Sequence, residues 1–390
     1  MAFLDGPAGS QVPQVVIDAI ADYYRTSNAN VGGKFVTSAE TDEVVARGRK
    51  TVAEFLGAED PATISFGASM TALTFALAHA VGRTWRPGDE VVITALDHEG
   101  NRGPWRRLEE RGMVVREAAL EPDGRLDYDS LERAIGERTR LVAIGAASNL
   151  LGTVNDLALA RRLSAAAGAL LAVDAVHYAP HFLLDVQALD VDFLLCSGYK
   201  FYGPQLGLLY SRPGLLDELD PDRLCTQDQR APHRIQTGTL NHASVAGITA
   251  TIEYLASWGE GDDLRARLTT AFDRIGAHER RVAEHLYARL GEISGVTVWG
   301  PDFSDRQRAP TISVTLDGRP AGEAAARLGE QGLQLWDGHF YAVRAVESLG
   351  LAGAGGLLRT GILMYNTIEE MDRLTDAIAI IAGSRRRVAR

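Results

Sequence analysis

The chain of 390 residues has little cysteine, no excess of basic charge and no long apolar run. Its two cysteines, Cys196 and Cys225, are too few for a disulfide framework or a zinc site, so we expect a reducing, cytoplasmic location. A formal net charge of -11 leaves no basic face for nucleic acid, and the basic run at residues 385–390 is interpreted as a solvated helix end. No apolar run approaches the roughly 20 residues that span a membrane, and the first residues lack the pattern of a signal peptide. We therefore expect no nucleic-acid partner and no membrane partner.

Apolar, strand-like segments alternate with helical segments through the first two thirds of the chain. The strands are predicted at 63–66, 90–95, 114–118, 141–146, 170–174, 193–196 and 207–210, and helices at 13–24, 41–56, 102–111, 128–136 and 158–167 lie among them. This alternation predicts an α/β fold with a mostly parallel, doubly wound sheet. We expect an N-terminal arm at 1–16, a large domain at 17–258 and a smaller α+β domain at 259–390. Residues 28–38, rich in Gly and Asn, are predicted to form a loop.

Lysine is the scarcest of the common charged residues, and one of the few is in a notable position. The 40 basic residues include only three lysines, and Lys200 directly follows the strand-like run at 191–195. An arginine keeps its proton at any workable pH, whereas a partly buried lysine can lose it and form a Schiff base. The alternative is a lysine on a surface loop, and the residues around Lys200 argue against it.

Polar residues end the predicted strands, where ligands collect in such sheets. Asp174 closes an apolar strand and is suited to hold a pyridine nitrogen protonated, while His177 is suited to reach a phenolic oxygen. His98 is a candidate to stack on a ring, and Ser69 opens a helix after a strand, as at many phosphate sites. The alternatives to cofactor contacts are structural roles, in which Ser69 or Asp174 caps a helix and the histidines stabilise the fold. Together with Lys200 these residues fit an aldehyde cofactor that carries a phosphate and a pyridine ring.

Five segments in order carry a family resemblance over nearly the whole chain. They are DHEGNRGPW at 97–105, SNLLGTVN at 148–155, VDAVH at 173–177, SGYKFYGP at 197–204 and RTGILMYNT at 359–367. Residues 3–5 and 10–14 also look like the N-terminal arm of the same group. The chain resembles the class V aminotransferase and cysteine desulfurase group of fold-type I pyridoxal-phosphate enzymes.

The resemblance implies a role for each matching residue. Lys200 is implied to bind pyridoxal phosphate covalently, Asp174 to pair with its ring nitrogen and His98 to stack on its ring. The remaining implied contacts with the cofactor are those of Ala68, Ser69, Asn149, His177, Ser197 and Tyr199. The resemblance implies that Thr239 reaches the cofactor phosphate of a neighbouring subunit. It therefore also implies a homodimer. Arg359, with Asn149 beside it, is implied to bind the carboxylate of an amino-acid substrate.

One departure from the group bears on the reaction. The segment Gly338, His339, Phe340 and Tyr341 resembles the motif in which desulfurases carry the catalytic cysteine, so Tyr341 replaces the sulfur acceptor. A second arginine that the group has near the substrate is missing too, since Trp336 stands at its place and Gly32 lies in the N-terminal loop. A desulfurase is therefore disfavoured.

The chemistry that remains needs no thiol on the protein. Members of the resembled group without the cysteine include carbon–sulfur lyases that act on cysteine S-conjugates in natural-product pathways, and the resemblance therefore favours this class. Tyr341 or His339 is then the candidate acid near the leaving group, and Trp336 lies near the substrate. An aminotransferase, a decarboxylating deaminase and a non-catalytic dimeric scaffold stay open at this point.

Overall fold

The computed structural model describes residues 1–304 and 307–383, and the basic run at 385–390 lies outside them. Within them no helix combines the length and the hydropathy needed to cross a membrane. The strands, in chain order, are β1 (Ala2–Phe3), β2 (Ile64–Gly67), β3 (Glu90–Thr94), β4 (Val114–Ala118), β5 (Thr139–Gly145), β6 (Leu170–Asp174), β7 (Phe193–Ser197), β8 (Gly207–Ser211), β9 (Val296–Trp299), β10 (Thr311–Leu316), β11 (Leu333–Gln334), β12 (Trp336–Gly338) and β13 (Leu357–Gly361). The α-helices are α1 (Gln14–Thr26), α2 (Val36–Leu56), α3 (Met70–Gly82), α4 (Glu99–Arg106), α5 (Tyr128–Ala134), α6 (Leu157–Ala166), α7 (Leu215–Glu218), α8 (His242–Ala256), α9 (Leu264–Gly291), α10 (Ala321–Glu330), α11 (Val343–Ser348) and α12 (Ile368–Ile381).

The large sheet has seven strands in the order β2-β8-β7-β6-β5-β3-β4. All neighbouring pairs are parallel except those of β8, which runs antiparallel to both β2 and β7. Strand β8 can be antiparallel because the chain returns from β7 to β8 through a short connection instead of a helical crossover. The predicted mostly parallel, doubly wound sheet is confirmed.

Both faces of this sheet are buried, as the continuous apolar strands indicate. On β7, Leu194 and Cys196 pack into one core with residues of α2 and α8, whereas Phe193 and Leu195 pack into another core with residues of α3. The alternation follows from the two-residue period of a strand. Cys196 is fully buried in the first of these cores.

A second, smaller core lies around a four-stranded antiparallel sheet in the order β12-β13-β10-β9. Residues of α10 and α12 pack on it, and β1 of the N-terminal arm pairs with β11 beside it. Helix α9 belongs to both cores, because Leu268 and Phe272 pack into the first and Val282 and Leu286 into the second. The small α+β unit is present, and the predicted domain boundary at residue 258 stays a prediction.

Two helices differ from the predicted bounds by more than two residues. Helix α2 begins at Val36 instead of residue 41, since the hydroxyl of Ser38 bonds the carbonyl of Asn30 and accepts from N of Gly33, so the loop closes earlier than predicted. The predicted helix at 102–111 is a short α-helix, Glu99–Arg106, followed by a 3-10 turn. Its start was missed because the cap is His98, an unusual N-cap residue.

Candidate active site

A cavity lies at the carboxyl ends of β3, β5, β6 and β7, at the edge where the sequence predicts a ligand site. The start of α3 and the N-terminal arm complete its wall. Eight of the ten predicted cofactor-binding residues line it, and the exceptions are Ala68 and Thr239, which are both exposed. The lining residues are Pro7, Ser69, Met70, Thr71, Asp97, His98, Gly145, Ala147, Asn149, Asp174, Val176, His177, Ser197, Tyr199 and Lys200.

Lys200 ends a 3-10 turn directly after β7, and its amine lies inside the cavity wall. The Nζ atom donates to the carbonyls of Pro7, at 2.5 Å, and of Ala8, at 3.2 Å. It also lies 4.8 Å from the centroid of the Tyr199 ring. Burial, and then the positive charge of Arg359, lower the pKa of Lys200 from 10.5 to about 8. The neutral form of the amine is therefore a minor but accessible species near physiological pH, unlike in a lysine with the ordinary pKa, and it is the form that a nucleophilic lysine requires.

Asp174 ends β6 and accepts one hydrogen bond, from N of Val176 at 2.9 Å. Burial, and next the nearby charge of Asp97, raise the pKa of Asp174 to about 7. Its ionised form therefore needs a positive partner, and a protonated pyridine nitrogen is such a partner.

Asp97 lies beside it in the cavity wall. Its carboxylate accepts from N of Gly145 at 3.0 Å and from the side chain of Asn101 at 2.9 Å. Burial raises the pKa of Asp97 to about 6. The sequence alone assigned this residue no role, although its place after β3 was a signal for one.

His98 is the N-cap of α4, and this local role fixes its ring. Its Nδ1 accepts from N of Gly100 at 2.8 Å, so Nδ1 carries no proton. Burial, and then the charges of Lys200 and Arg359, lower the pKa of His98 to about 4. A neutral imidazole in the cavity wall is suited to stack on an aromatic ring.

His177 lies in the cavity wall opposite a residue that the smaller core contributes. Its Nε2 is hydrogen-bonded to the hydroxyl of Thr311 on β10 at 3.0 Å, and its ring lies 5.2 Å from that of His181. His181 in turn bonds Glu279 at 2.8 Å. Burial is the main cause that holds the pKa of His177 well below 6.5, so this ring is neutral and has one N–H to donate.

The start of α3 forms the end of the cavity that suits a phosphate. The hydroxyl of Ser69 accepts from N of Ala72, and the hydroxyl of Ser197 accepts from N of Met70, both at 3.1 Å. A helix of 13 residues thus points its positive end at the cavity. Strand β8 approaches this turn so closely that a Cβ on Gly207 would lie 2.4 Å from the backbone of Ser69. That position therefore excludes every residue with a side chain.

Arg359 lies next to the cavity but is closed off from it. Its side chain is 2% exposed, Nη1 donates to the carbonyl of Asn149 at 3.0 Å, and Nη2 pairs with Oδ1 of Asp5 at 2.8 Å. The ring of Phe340 covers the guanidinium at 4.1 Å. Nε of Arg359 and Oδ1 of Asn149 are buried and have no hydrogen-bond partner among the residues that the structure describes.

The segment from Trp336 to Tyr341 forms an aromatic rim beside the cavity. Tyr341 lies 5.4 Å from the His98 ring, 6.1 Å from His339 and 6.4 Å from Trp336 between centroids. Phe340 and Tyr341 both have left-handed backbone, with φ of 51° and 59°, which side chains rarely adopt. Of the five predicted substrate residues, Asn149 lines the cavity, whereas Trp336, His339, Tyr341 and Arg359 do not.

The residues present fit pyridoxal phosphate, because each polar part of that molecule meets a matching group. Lys200 has a reactive amine, buried Asp174 needs a cation, and the start of α3 favours an anion. His98 and His177 are neutral rings on the same wall. Fold and cavity together define a pyridoxal-phosphate enzyme of fold type I.

Comparison with known proteins gives the family. The sequence matches the family Aminotransferase class-V over residues 2–374, and the chain therefore belongs to that family. It is an enzyme that depends on pyridoxal phosphate and is similar to cysteine desulfurases.

Its relatives cover nearly the whole chain. A cysteine desulfurase of Salmonella agona is 32% identical over 98% of this chain and 93% of the relative. A probable cysteine desulfurase of Streptomyces coelicolor is 32% identical over 97% of this chain and 91% of the relative. Among solved structures, the apo cysteine desulfurase of Thermococcus onnurineus has a TM-score of 0.87 at 26% identity, over 98% of this chain and 94% of that one. The cysteine desulfurase of Escherichia coli in its S-sulfonic acid form has a TM-score of 0.85 at 28% identity, over 97% and 94%.

Several residues of the site were not predicted from the sequence. They are Asp5, which pairs with Arg359, Thr311, which bonds His177, and Phe340, which covers Arg359. The partners of Asp5 and Thr311 lie far away along the chain, and only the fold brings them together. The one available signal was the match of residues 3–5 to the arm of the family.

Proposed function

We propose that this chain is a carbon–sulfur lyase that splits a cysteine S-conjugate by β-elimination. The conjugate and one water give a thiol, pyruvate and ammonia, so atoms balance without an oxidant or reductant. Bound pyridoxal phosphate supplies an electron sink for the carbanion at the α-carbon. The relatives reported above are named cysteine desulfurases, and the proposal departs from that function at one residue.

The observation that carries the proposal is the lack of a thiol near the cavity. A desulfurase reaction needs a cysteine that accepts the sulfur, and Tyr341 stands in the matching segment. Cys196 is buried in β7, and burial raises the pKa of its thiol. Cys225 is exposed, and neither cysteine is among the described residues that line the cavity. With no acceptor on the protein, the sulfur leaves as the thiol of the substrate.

The residues of the site support this chemistry. Lys200, whose amine has a pKa of about 8, takes the proton from the α-carbon. Asp174 keeps the ring nitrogen protonated, and His98 and His177 fix the ring. Arg359 binds the α-carboxylate of the substrate.

The aromatic rim supports a large, apolar substituent on the substrate sulfur. Trp336 and Tyr341 are 44% and 54% exposed and can cover such a group, while Tyr341 or His339 protonates the leaving thiolate.

We also propose a homodimer in which each subunit completes the other's site. Thr239 is exposed and lies in a surface groove with Asn28, Asn30 and Tyr24, away from the cavity of its own chain. That position supports a contact with a partner's cofactor phosphate. A cytoplasmic location stays a prediction from the sequence.

The test is a product and spectral scan of the purified holoenzyme with S-alkyl and S-aryl cysteines and with common amino acids. We expect pyruvate and free thiol in equal amounts, with the absorbance band of the Lys200-bound cofactor restored afterwards. Conversion to the pyridoxamine form without pyruvate would contradict the proposal and indicate an aminotransferase or a decarboxylating deaminase. Alanine with a protein persulfide would indicate a desulfurase.

A further inference from the structure

Both edges of the Arg359 guanidinium that could bind a carboxylate are at least partly occupied. A carboxylate binds arginine with two bonds across Nη2 and Nε or across Nη2 and Nη1. Both edges include Nη2, the nitrogen that pairs with Asp5 at 2.8 Å. Nη1 already donates to the carbonyl of Asn149, and Phe340 covers the face. A substrate carboxylate therefore meets an arginine that already has a carboxylate partner.

The partner is held firmly in that position by the arm. Asp5 forms a bridge with Gly361 on β13, the strand that carries Arg359, and N of Gly361 donates to the carbonyl of Leu4. Contact is so close that a Cβ on Gly361 would lie 1.9 Å from Pro7. The Asp5 carboxylate is thus fixed beside the guanidinium and is not a chance surface contact.

Because the ion pair of Asp5 and Arg359 is buried, it costs free energy to break the pair and also to place a second carboxylate beside it. Both side chains lie mostly out of solvent, at 18% and 2% exposed. A second carboxylate brought against the same guanidinium would be repelled by Asp5 in this weakly screened site. Nε of Arg359, buried without a partner among the described residues, is the donor left open for an incoming ligand.

We propose that Asp5 is a built-in counter-ion that the α-carboxylate of the substrate displaces from Arg359. The inference rests on the proposed function in one respect, the binding of a carboxylate by Arg359. Asp5 is a positioning residue: it holds the guanidinium in place until the substrate arrives.

The same arm also contacts Lys200. The carbonyls of Pro7 and Ala8, two and three residues after Asp5, accept from Nζ of Lys200. The segment that carries the counter-ion of Arg359 is therefore also part of the surroundings of the lysine.

The test measures binding of a carboxylate that cannot react. 3-(Methylsulfanyl)propanoate has the carboxylate and thioether of a cysteine conjugate but no amino group, so turnover is excluded. Isothermal titration calorimetry on the holoenzyme at pH 7.5 should show about tenfold tighter binding by D5N than by the wild type, because the competing charge is gone, and a tenfold change corresponds to about 1.4 kcal/mol. D5E, which keeps the charge, should restore the wild-type affinity. D22N, a matched change of an exposed aspartate paired with Arg25, should leave the affinity unchanged.

Other results of these binding measurements would contradict the displacement of Asp5 from Arg359. Equal or weaker binding by D5N would overturn the proposal, since general damage to the site weakens binding and only loss of a competitor strengthens it. D5S is a second variant in case D5N does not fold, with the same expected direction. If R359Q binds the propanoate as well as the wild type, or if D5N gains equally for the neutral 3-(methylsulfanyl)propanamide, the exchange at Arg359 is excluded.

Because 3-(methylsulfanyl)propanoate binds without reacting, its affinity tests the exchange at Arg359 independently of the lyase reaction. Absence of pyruvate from cysteine conjugates would contradict the lyase while leaving the affinity results intact. An unchanged affinity in D5N would contradict the exchange while leaving product formation intact.

Discussion

Asp174 has a carboxylate whose ionised form is unfavourable in the protein alone. Its pKa is raised to about 7, chiefly by burial. A carboxyl with a raised folded pKa contributes stability below its unfolded pKa of about 4, and this contribution is lost as pH rises through about 7. At pH 8 the cofactor-free protein therefore contains a destabilising buried charge that the cofactor's ring nitrogen relieves.

D174N should therefore stabilise the cofactor-free protein at pH 8 and weaken cofactor binding. We expect the free energy of unfolding to rise by about 1–3 kcal/mol at pH 8, with a much smaller gain at pH 5, because the carboxyl is then largely protonated. Denaturant unfolding at both pH values, and absorbance titration with pyridoxal phosphate, check this. A lower stability of D174N at pH 8 would contradict the account of Asp174.

Single residues were predicted well where a local pattern marks them. Asp174 ends β6, and Lys200, His98 and His177 lie three or four residues after the ends of strands. The carboxyl ends of strands meet at one edge of a parallel sheet. Asp5 escaped prediction because its partner is 354 positions away, and Thr311 because it reaches His177 from the smaller core. Such pairs depend on the fold as a whole, and no local pattern marks them.

At the scale of elements, we expect β12 and the residues that follow it to select the substituent on the substrate sulfur. Trp336 lies on β12 and meets the rings of Phe340 and Tyr341. W336A should raise KM about five- to twentyfold for S-aryl cysteines, by loss of aromatic contact, and change KM for S-methylcysteine far less. Steady-state kinetics on both substrates measure this.

Trp258 gives a matched control, since it is 51% exposed at the end of α8 and does not line the cavity. W258A should leave both KM values unchanged. If W336A raises KM for both substrates equally, the rim does not select the substituent on sulfur.

The N-terminal arm is a second element with a testable role. Because Pro7 leaves no room for a Cβ on Gly361, G361A should push the arm away from β13 and from Lys200. We expect a loss of about 2–4 kcal/mol in the free energy of unfolding and a weaker cofactor band. Urea unfolding and the absorbance spectrum measure the two effects.

Gly353 offers the comparison, because a Cβ there meets nothing within 4 Å. G353A should have the stability and spectrum of the wild type. An unperturbed G361A would show that the arm is not fixed against β13 in solution.

The strands and most helices followed from periodicity, since β4 and β6 have the predicted bounds. The starts of α2 and α4 did not, because Phe35 and His98 precede them in place of the usual capping residues. Strand β8 was found, but its antiparallel direction depends on the connection to β7 and is not visible in its own apolar pattern.

For the whole molecule, the account predicts two active sites shared between two subunits. Sedimentation equilibrium should give about 84 kDa, twice the 42.0 kDa of one chain. T239D should weaken cofactor affinity tenfold or more, although Thr239 lies away from the cavity of its own chain, because a carboxylate repels the partner's phosphate.

T269D, a change of an exposed threonine on α9, serves as the control and should retain full affinity. A monomer that binds the cofactor normally, or wild-type affinity in T239D, would exclude shared sites.

The overall architecture was predictable because the alternating pattern and five ordered motifs agree. The surface that meets a partner was not, since it has no pattern of its own.

The most direct measurement uses a chain without any cysteine. Because Cys196 and Cys225 are the only two, C196A/C225A removes every thiol from the protein. Pyruvate and thiol released from an S-alkyl cysteine by the folded variant and by the wild type would be measured side by side. The account predicts equal amounts of both products and a rate within about threefold of the wild type, which corresponds to less than about 1 kcal/mol in the barrier. A folded, cofactor-loaded variant that releases neither product, while the wild type does, would contradict it and show that a cysteine of this chain takes part in the reaction.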